Sequence, residues 1–267
     1  MNLSLEGLFS VRDKVVVISG GSGGIGSGFA GALLSLGATV VLLDYNAESL
    51  RRVSGELSKN GGSVSTETAD ITDYASVEAA FDRVFSQYGK IDGLVNCAGI
   101  NIVRGLNEIS AEDFDRVIRV NLLGTVNCSK AAGKYMIPAG KGRVVNISSL
   151  AATHGKPNYT AYTASKAAVN GFTYSLAAEW ARKGITVNSI SPVLIVTDIN
   201  RKQIQENPGY FDSVCSMIPA GRVSETKDIF GLLVYLLSDS SGFLTGQNIG
   251  CDGGSQNGDV GVIKPES

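Results

Sequence analysis

Short apolar runs rich in β-branched residues alternate with longer segments of helical period along almost the whole chain. The runs at 14–19 (KVVVIS), 38–44 (ATVVLLD), 63–69 (SVSTETA), 92–97 (DGLVNC), 142–148 (GRVVNIS), 184–190 (GITVNSI) and 247–251 (QNIGC) read as strands. Most are apolar throughout instead of alternating with polar residues, which is the pattern of strands covered on both faces. Between them, the spacing predicts helices over 25–36, 46–59, 73–88, 111–136, 161–182 and 225–238. Ser110 in SAEDF and Ser224 in SETKDI stand where N-caps would, with acidic residues in the turn that follows. Repeated strand–helix alternation implies an α/β fold: a Rossmann-type, doubly wound parallel sheet of about seven strands, helices on both faces, in a single domain over 1–255. The segment 197–223, with Pro208, Pro219 and weak periodicity, reads as a mobile substrate loop after the sixth strand, and 256–267 as an irregular tail.

Composition narrows the class without changing that picture. The chain has 267 residues, 43% of them hydrophobic, enough for a substantial core. Its formal net charge of −2 and 18% charged residues offer no basic footprint for nucleic acid. No apolar run approaches the roughly 20 residues needed to span a bilayer, and the opening MNLSLEGLFSVRDK lacks the apolar core of a signal peptide. Cys97, Cys128, Cys215 and Cys251 lie far apart, and the chain has one histidine. No zinc site, redox dithiol or His-rich metal centre is expected, and a cytoplasmic location is.

Chemistry enters at the first strand–helix turn, SGGSGGIG over 19–26. Glycines let a backbone turn tightly and approach a pyrophosphate, whose charge the following helix N-terminus favours. Two registers fit: G-x-G-x-x-G at Gly21, Gly23 and Gly26, and G-x-x-x-G-x-G at Gly20, Gly24 and Gly26. Twenty-four residues after Gly20 the second strand ends in Asp44, followed by Tyr45. A carboxylate there accepts from a ribose 2′-OH and repels a 2′-phosphate, and the glycine loop contains no Lys or Arg. The pattern favours NAD over NADP.

A second constellation is AYTASKAAVNGF over 161–172. Tyr162 and Lys166 are four residues apart, so on a helix they share a face. An ammonium beside a phenol stabilises the phenolate and is expected to lower its pKa toward the range useful in proton transfer. Tyr159, by contrast, has no lysine at 163.

Together with ADI (69–71), NCAG (96–99), Asn121 in VNLLGT, NISS (146–149), SPV (191–193) and TGQNIGCDGG (245–254), these stretches resemble the short-chain dehydrogenase/reductase family over roughly residues 10–255. The resemblance implies an NAD-dependent oxidoreductase that interconverts a secondary alcohol and a ketone, with a small polar substrate such as a sugar, polyol or cyclic alcohol. It implies that Tyr162 is the general acid/base, that Lys166 lowers its pKa and holds the nicotinamide ribose, that Ser149 hydrogen-bonds the reacting oxygen, and that Asn121 supports a relay water. Ser148 has at most a supporting hydrogen bond, because strand alternation sends it the other way. Cofactor contacts are implied for Gly20, Ser22, Gly24, Ile25, Gly26, Asp44 and Tyr45, for Asp70 and Ile71 at the adenine, and for Asn96, Ala98 and Gly99 along the ribose. Pro192, Ile195 and Thr197 complete the set near the nicotinamide. The resemblance further suggests a homotetramer, or a homodimer, packed through the helix bearing Lys166 and the one before it. Two alternatives stay open: an NADPH-dependent 3-oxoacyl-thioester reductase, and a catalytically silent nucleotide sensor on the same fold.

Three positions depart from the family pattern. Ser19 stands for Thr, Cys97 for the second Asn of N-N-A-G, and Val193 for the Gly after Pro192. The Val193 Cβ disfavours a positive φ, and its isopropyl group is expected to narrow substrate choice. His154 and Lys156, between Ser149 and Tyr162, are placed to meet a polar or acidic substrate if their loop faces the pocket.

Overall fold

A computed structural model describes residues 5–59, 61–196 and 208–256. A short helix α1 (Leu5–Leu8) precedes the alternating part of the chain. Strands β1 (Val15–Ser19), β2 (Thr39–Asp44), β3 (Val64–Thr68), β4 (Gly93–Asn96), β5 (Gly142–Ile147), β6 (Ile185–Pro192) and β9 (Asn248–Cys251) form one sheet in the order β3-β2-β1-β4-β5-β6-β9. Every pairing in it is parallel. A separate two-residue ladder joins β7 (Ile195–Val196) to β8 (Ser224–Glu225). All seven strands expected from the sequence are present in this single-domain Rossmann-type fold.

The apolar strands are explained by alternation. Val15 and Val17 of β1 pack on one side with Val41 and Leu43 of β2, while Val16 and Ile18 pack on the other with Val40 and Leu42. Both sets are hydrophobic because helices cover both faces. One layer contains α4 (Tyr74–Tyr88), α6 (Gly124–Ala139) and α7 (Thr160–Trp180). The other contains α2 (Gly24–Ser35), α3 (Ala47–Ser58) and α9 (Thr226–Leu237). Caps fix the starts: Asn46 accepts from Ser49 N–H at 3.0 Å, and Ser110 accepts from Asp113 N–H at 3.0 Å. For α9 the cap is Glu225, in a reciprocal capping box with Asp228. Ser224, the expected cap, lies one residue earlier in β8.

Two expected elements differ. The helix read over 111–136 is α5 (Ala111–Ile118) and α6, joined by a π-helical turn at Arg119–Leu123. Hydrophobic periodicity does not register one extra residue in a turn. Within the segment read as a substrate loop, α8 (Pro208–Ser216) is helical. Val214, Ile218 and Val223 form a small core there, against which Val193, Leu194 and Val196 pack. The segment is thus anchored to the chain that follows β6. Residues 197–207 and 257–267, which include most of the expected tail, lie outside the described residues.

Candidate active site

At the C-terminal edge of β1 the chain enters α2 through the glycine loop. Gly20 has φ +67, and a Cβ on it would sit 2.7 Å from the Ala98 Cα, so the turn tolerates only glycine there. At Gly26 a Cβ would run into the Gly20 carbonyl oxygen. No side chain caps the α2 N-terminus, where Gly23 is the N-cap. Uncapped amides at the end of a helix dipole suit an anionic group.

That loop opens onto a groove of about 850 Å³. Of the expected cofactor residues, Gly20, Ser22, Gly24, Ile25, Gly26, Asp44, Tyr45, Asp70, Ile71, Ala98 and Gly99 line it. Its shape and donors fit a dinucleotide lying across the strand ends at the switch point of the sheet. Asp44 is nearly buried and already oriented: Oδ2 accepts from Ser22 Oγ at 2.7 Å and Ser22 N–H at 3.2 Å, and Oδ1 from Asn46 N–H at 3.2 Å. Asp70 Oδ1 accepts from the Thr72 hydroxyl and N–H at 2.8 and 2.9 Å.

Asn96 lies elsewhere. Its side chain is buried behind the sheet and donates to Asn146 Oδ1 at 2.8 Å and Ser129 Oγ at 3.1 Å, tying β4 to β5 and α6. Pro192 and Ile195 are buried at the end of β6 and in β7, off the groove wall, and Thr197 lies outside the described residues. Sequence reading missed Asn46, Ser49, Arg52, Ile100, Arg116 and Arg119 on the wall. Arg52 puts a cation on the groove that also holds Asp44, outside the glycine loop, and its guanidinium pairs with Glu56 one helical turn away, at 3.3 Å.

Beyond Gly99 the groove meets the second constellation. A Cβ on Gly99 would sit 3.4 Å from Lys166 Nζ and 3.3 Å from Asn121 Oδ1. Lys166 is only 4% exposed; its Nζ donates to the Ile147 carbonyl at 2.8 Å and lies 5.8 Å from the Tyr162 ring centroid. Burial pulls its ammonium down to about 8. The Tyr162 phenol is raised above its usual value, because burial outweighs the lowering influence of the neighbouring Ser149 side chain. In the ligand-free chain the expected lowering by Lys166 is therefore not the net effect.

Asn121 is fully buried in the π-helical turn. Its Nδ2 donates to the Ile100 carbonyl and Ser165 Oγ, both at 2.9 Å, and its Oδ1 accepts from Ile100 N–H at 2.8 Å. It staples the segment after β4 to α7. Ser148 does point away, donating to the Lys166 carbonyl at 3.2 Å. Ser19 Oγ accepts from Cys97 N–H at 3.2 Å, so its hydroxyl adds a side-chain link where the β1–β4 ladder ends. Burial pushes the Cys97 thiol up to about 12, leaving it protonated. His154 is exposed and bonds its neighbour Thr153, while Lys156 lies over the Tyr159 ring at 4.6 Å.

No cluster of metal-ligating side chains occurs among the described residues, and no helix among them is long and apolar enough to cross a membrane. All four cysteines are free.

Fold and groove define a dinucleotide-binding oxidoreductase. The chain belongs to the short-chain dehydrogenase/reductase family. Residues 20–256 match a family model described as enoyl-(acyl carrier protein) reductase. Over 252 residues the chain is 36% identical to a D-threitol dehydrogenase of Mycolicibacterium smegmatis, covering 94% of this chain and 96% of that one. Among solved structures it resembles a gluconate 5-dehydrogenase from Burkholderia cenocepacia in complex with NADP and tartrate, with a TM-score of 0.90 and 31% identity over 96% of this chain and 100% of that one. It also resembles an NAD+-bound xylitol dehydrogenase, with a TM-score of 0.84 and 31% identity over 90% and 97%. The protein is thus an oxidoreductase that transfers hydride between a nicotinamide cofactor and a secondary alcohol or ketone.

Proposed function

We propose that the chain is an NAD-dependent dehydrogenase of small polyhydroxylated substrates, oxidising one secondary alcohol of a sugar or polyol to a ketone. The observation that carries this is buried Lys166, its Nζ 5.8 Å from the Tyr162 ring centroid and next to Gly99, on a groove whose wall also displays Asp44. Relatives named for threitol and xylitol support the substrate class. The relatives span NAD and NADP, so the preference for NAD rests on Asp44.

Bound nicotinamide supplies the hydride acceptor, and the protein positions it and handles the proton. Tyr162 takes the alcohol proton in oxidation and returns it in reduction. Ser149 donates to the same oxygen, holding it where charge develops. Lys166, on the same face of α7 one turn on, presents its ammonium to the Tyr162 phenolate and to the nicotinamide ribose. Asn121 acts by fixing Ile100 and Ser165, which keeps the segment after β4 in place for a relay water.

Assembly follows the same reading. A surface groove of about 500 Å³ between α6 and α7 is lined by Val126, Ile137, Phe172 and Leu176, and supports packing of these helices across a two-fold axis in a homotetramer. Trp180 forms its floor and belongs to the core, against Gly133.

The test is NADH formation at 340 nm over a panel of tetritols, pentitols, aldonic acids and cyclic alcohols, with NAD and NADP compared. Turnover of polyols with NAD is the expected result. Activity confined to NADPH and 3-oxoacyl thioesters would replace the polyol reading with the thioester reductase.

A further inference from the structure

Arg116 and Arg119 lie three residues apart at the end of α5 and the start of the π-helical turn, and both line the nucleotide groove. Residues at this spacing share a helix face. Both are exposed, and neither guanidinium has an ion-pair or hydrogen-bond partner among the described residues. Asp115, one turn before Arg119, also lines the groove and pairs with neither. The other groove cation, Arg52, is engaged with Glu56.

The charge balance across the groove gives this pair a meaning. The glycine loop over 19–26 has no cationic side chain, so it offers a diphosphate only backbone amides and a helix end. The carboxylates of Asp44 and Asp70 are oriented by local donors and, among the described residues, form no ion pair with the arginines. A guanidinium is a planar fork of donors suited to phosphate oxygens. Two of them face a groove built for a dianionic diphosphate.

We propose that Arg116 and Arg119 form a cationic wall of the groove that holds the diphosphate of the cofactor. This inference rests on the nicotinamide reading of the groove. The π-helical turn adds a reason for the placement: it begins at Arg119 and buries Asn121 two residues later, so one local feature presents Arg119 to the groove and fixes the segment after β4.

The experiment is equilibrium binding of NADH by fluorescence, with ADP, adenosine and 2′-AMP as competitors, at several salt concentrations. Wild type is compared with R116A/R119A and R116K/R119K. The expected result is a rise of about tenfold or more in Kd for NADH and ADP in the alanine variant, a weaker salt dependence, and partial recovery in the lysine variant. Adenosine binding stays unchanged. Unchanged ADP affinity in R116A/R119A, with NADH bound normally by wild type, overturns the proposal and leaves the nicotinamide reading intact. An effect confined to 2′-AMP also overturns it, because the arginines would then serve a 2′-phosphate. Failure of wild type to bind NADH overturns the nicotinamide reading itself. Equal melting temperatures of the three proteins separate a binding effect from a folding defect.

Discussion

The Ser22 hydroxyl donates to Asp44 Oδ2 at 2.7 Å, tying the glycine loop to the end of β2 across 22 residues of sequence. Together with the Asn46 amide, which bonds the other oxygen, it fixes the carboxylate in one orientation at the groove wall. In the proposed NAD reading, this fixed negative charge repels a 2′-phosphate and accepts from a 2′-hydroxyl.

Asp44→Ala is therefore expected to reduce the NAD/NADP ratio of kcat/KM by about tenfold or more, since like charges about 4 Å apart cost about 1 kcal/mol even in water and more near a protein surface. The loss should appear in KM for NAD, with a gain for NADP. Steady-state kinetics with both cofactors check it. An unchanged ratio would move the selectivity away from Asp44.

Removal of the two hydroxyls over the reacting oxygen should separate binding from chemistry. Tyr162→Phe is expected to lower kcat about 10²–10⁴-fold, the usual range for a lost acid/base, and Ser149→Ala about 10²–10³-fold, as for one lost oxyanion donor. NADH binding by fluorescence should persist in both. Ser149→Ala also removes the acceptor of the Ala151 N–H at 3.1 Å, so part of its effect is local structure. Near-normal turnover in Tyr162→Phe would exclude the proton-transfer role.

The strand set was legible because both layers need the same signal: β1 and β2 send alternate residues into two hydrophobic clusters, so their runs are apolar at every position. The glycine loop and the Tyr162–Lys166 face were legible because spacing alone determines them. Three features were not. The π-helical turn at Arg119–Leu123 leaves composition and period almost untouched. Asn96 turns away from the groove because alternation within a four-residue strand depends on register, which no motif encodes. The direction of the Tyr162 shift depends on how deeply the phenol is buried, and burial is a tertiary quantity.

Buried Lys166 makes a pH-dependent stability signature. Its folded-state value of about 8 lies below the 10.5 of an unperturbed lysine. Between these values the unfolded chain holds more protons than the folded one, so this residue makes stability rise with pH across about 8 to 10.5. Below about 8 the penalty for burying the ammonium is present in full. Relative to Lys166→Met, the melting temperature of the ligand-free wild type should thus improve across that window. Parallel profiles from pH 7 to 10.5 would show that Lys166 titrates at its ordinary value.

Val193 has a packing role that its sequence position did not suggest. It does not adopt a positive φ among the described residues, and it packs on the Val214, Ile218 and Val223 cluster that anchors α8. Its isopropyl group therefore holds the segment after β6 in place, and substitution acts through that small core. Val193→Gly removes partly buried methyl groups and adds backbone freedom, a combined cost of about 1–3 kcal/mol within the range for core truncation. Because the cluster stands apart from the two main hydrophobic clusters, the loss should be local. Hydrogen exchange should increase over 208–223 while the β-sheet amides keep their protection. KM for the alcohol substrate should rise by about the same factor for every polyol tested, since a loosened segment acts alike on all of them. A change in the rank order of substrates, with exchange over 208–223 unaltered, would instead put Val193 in contact with substrate.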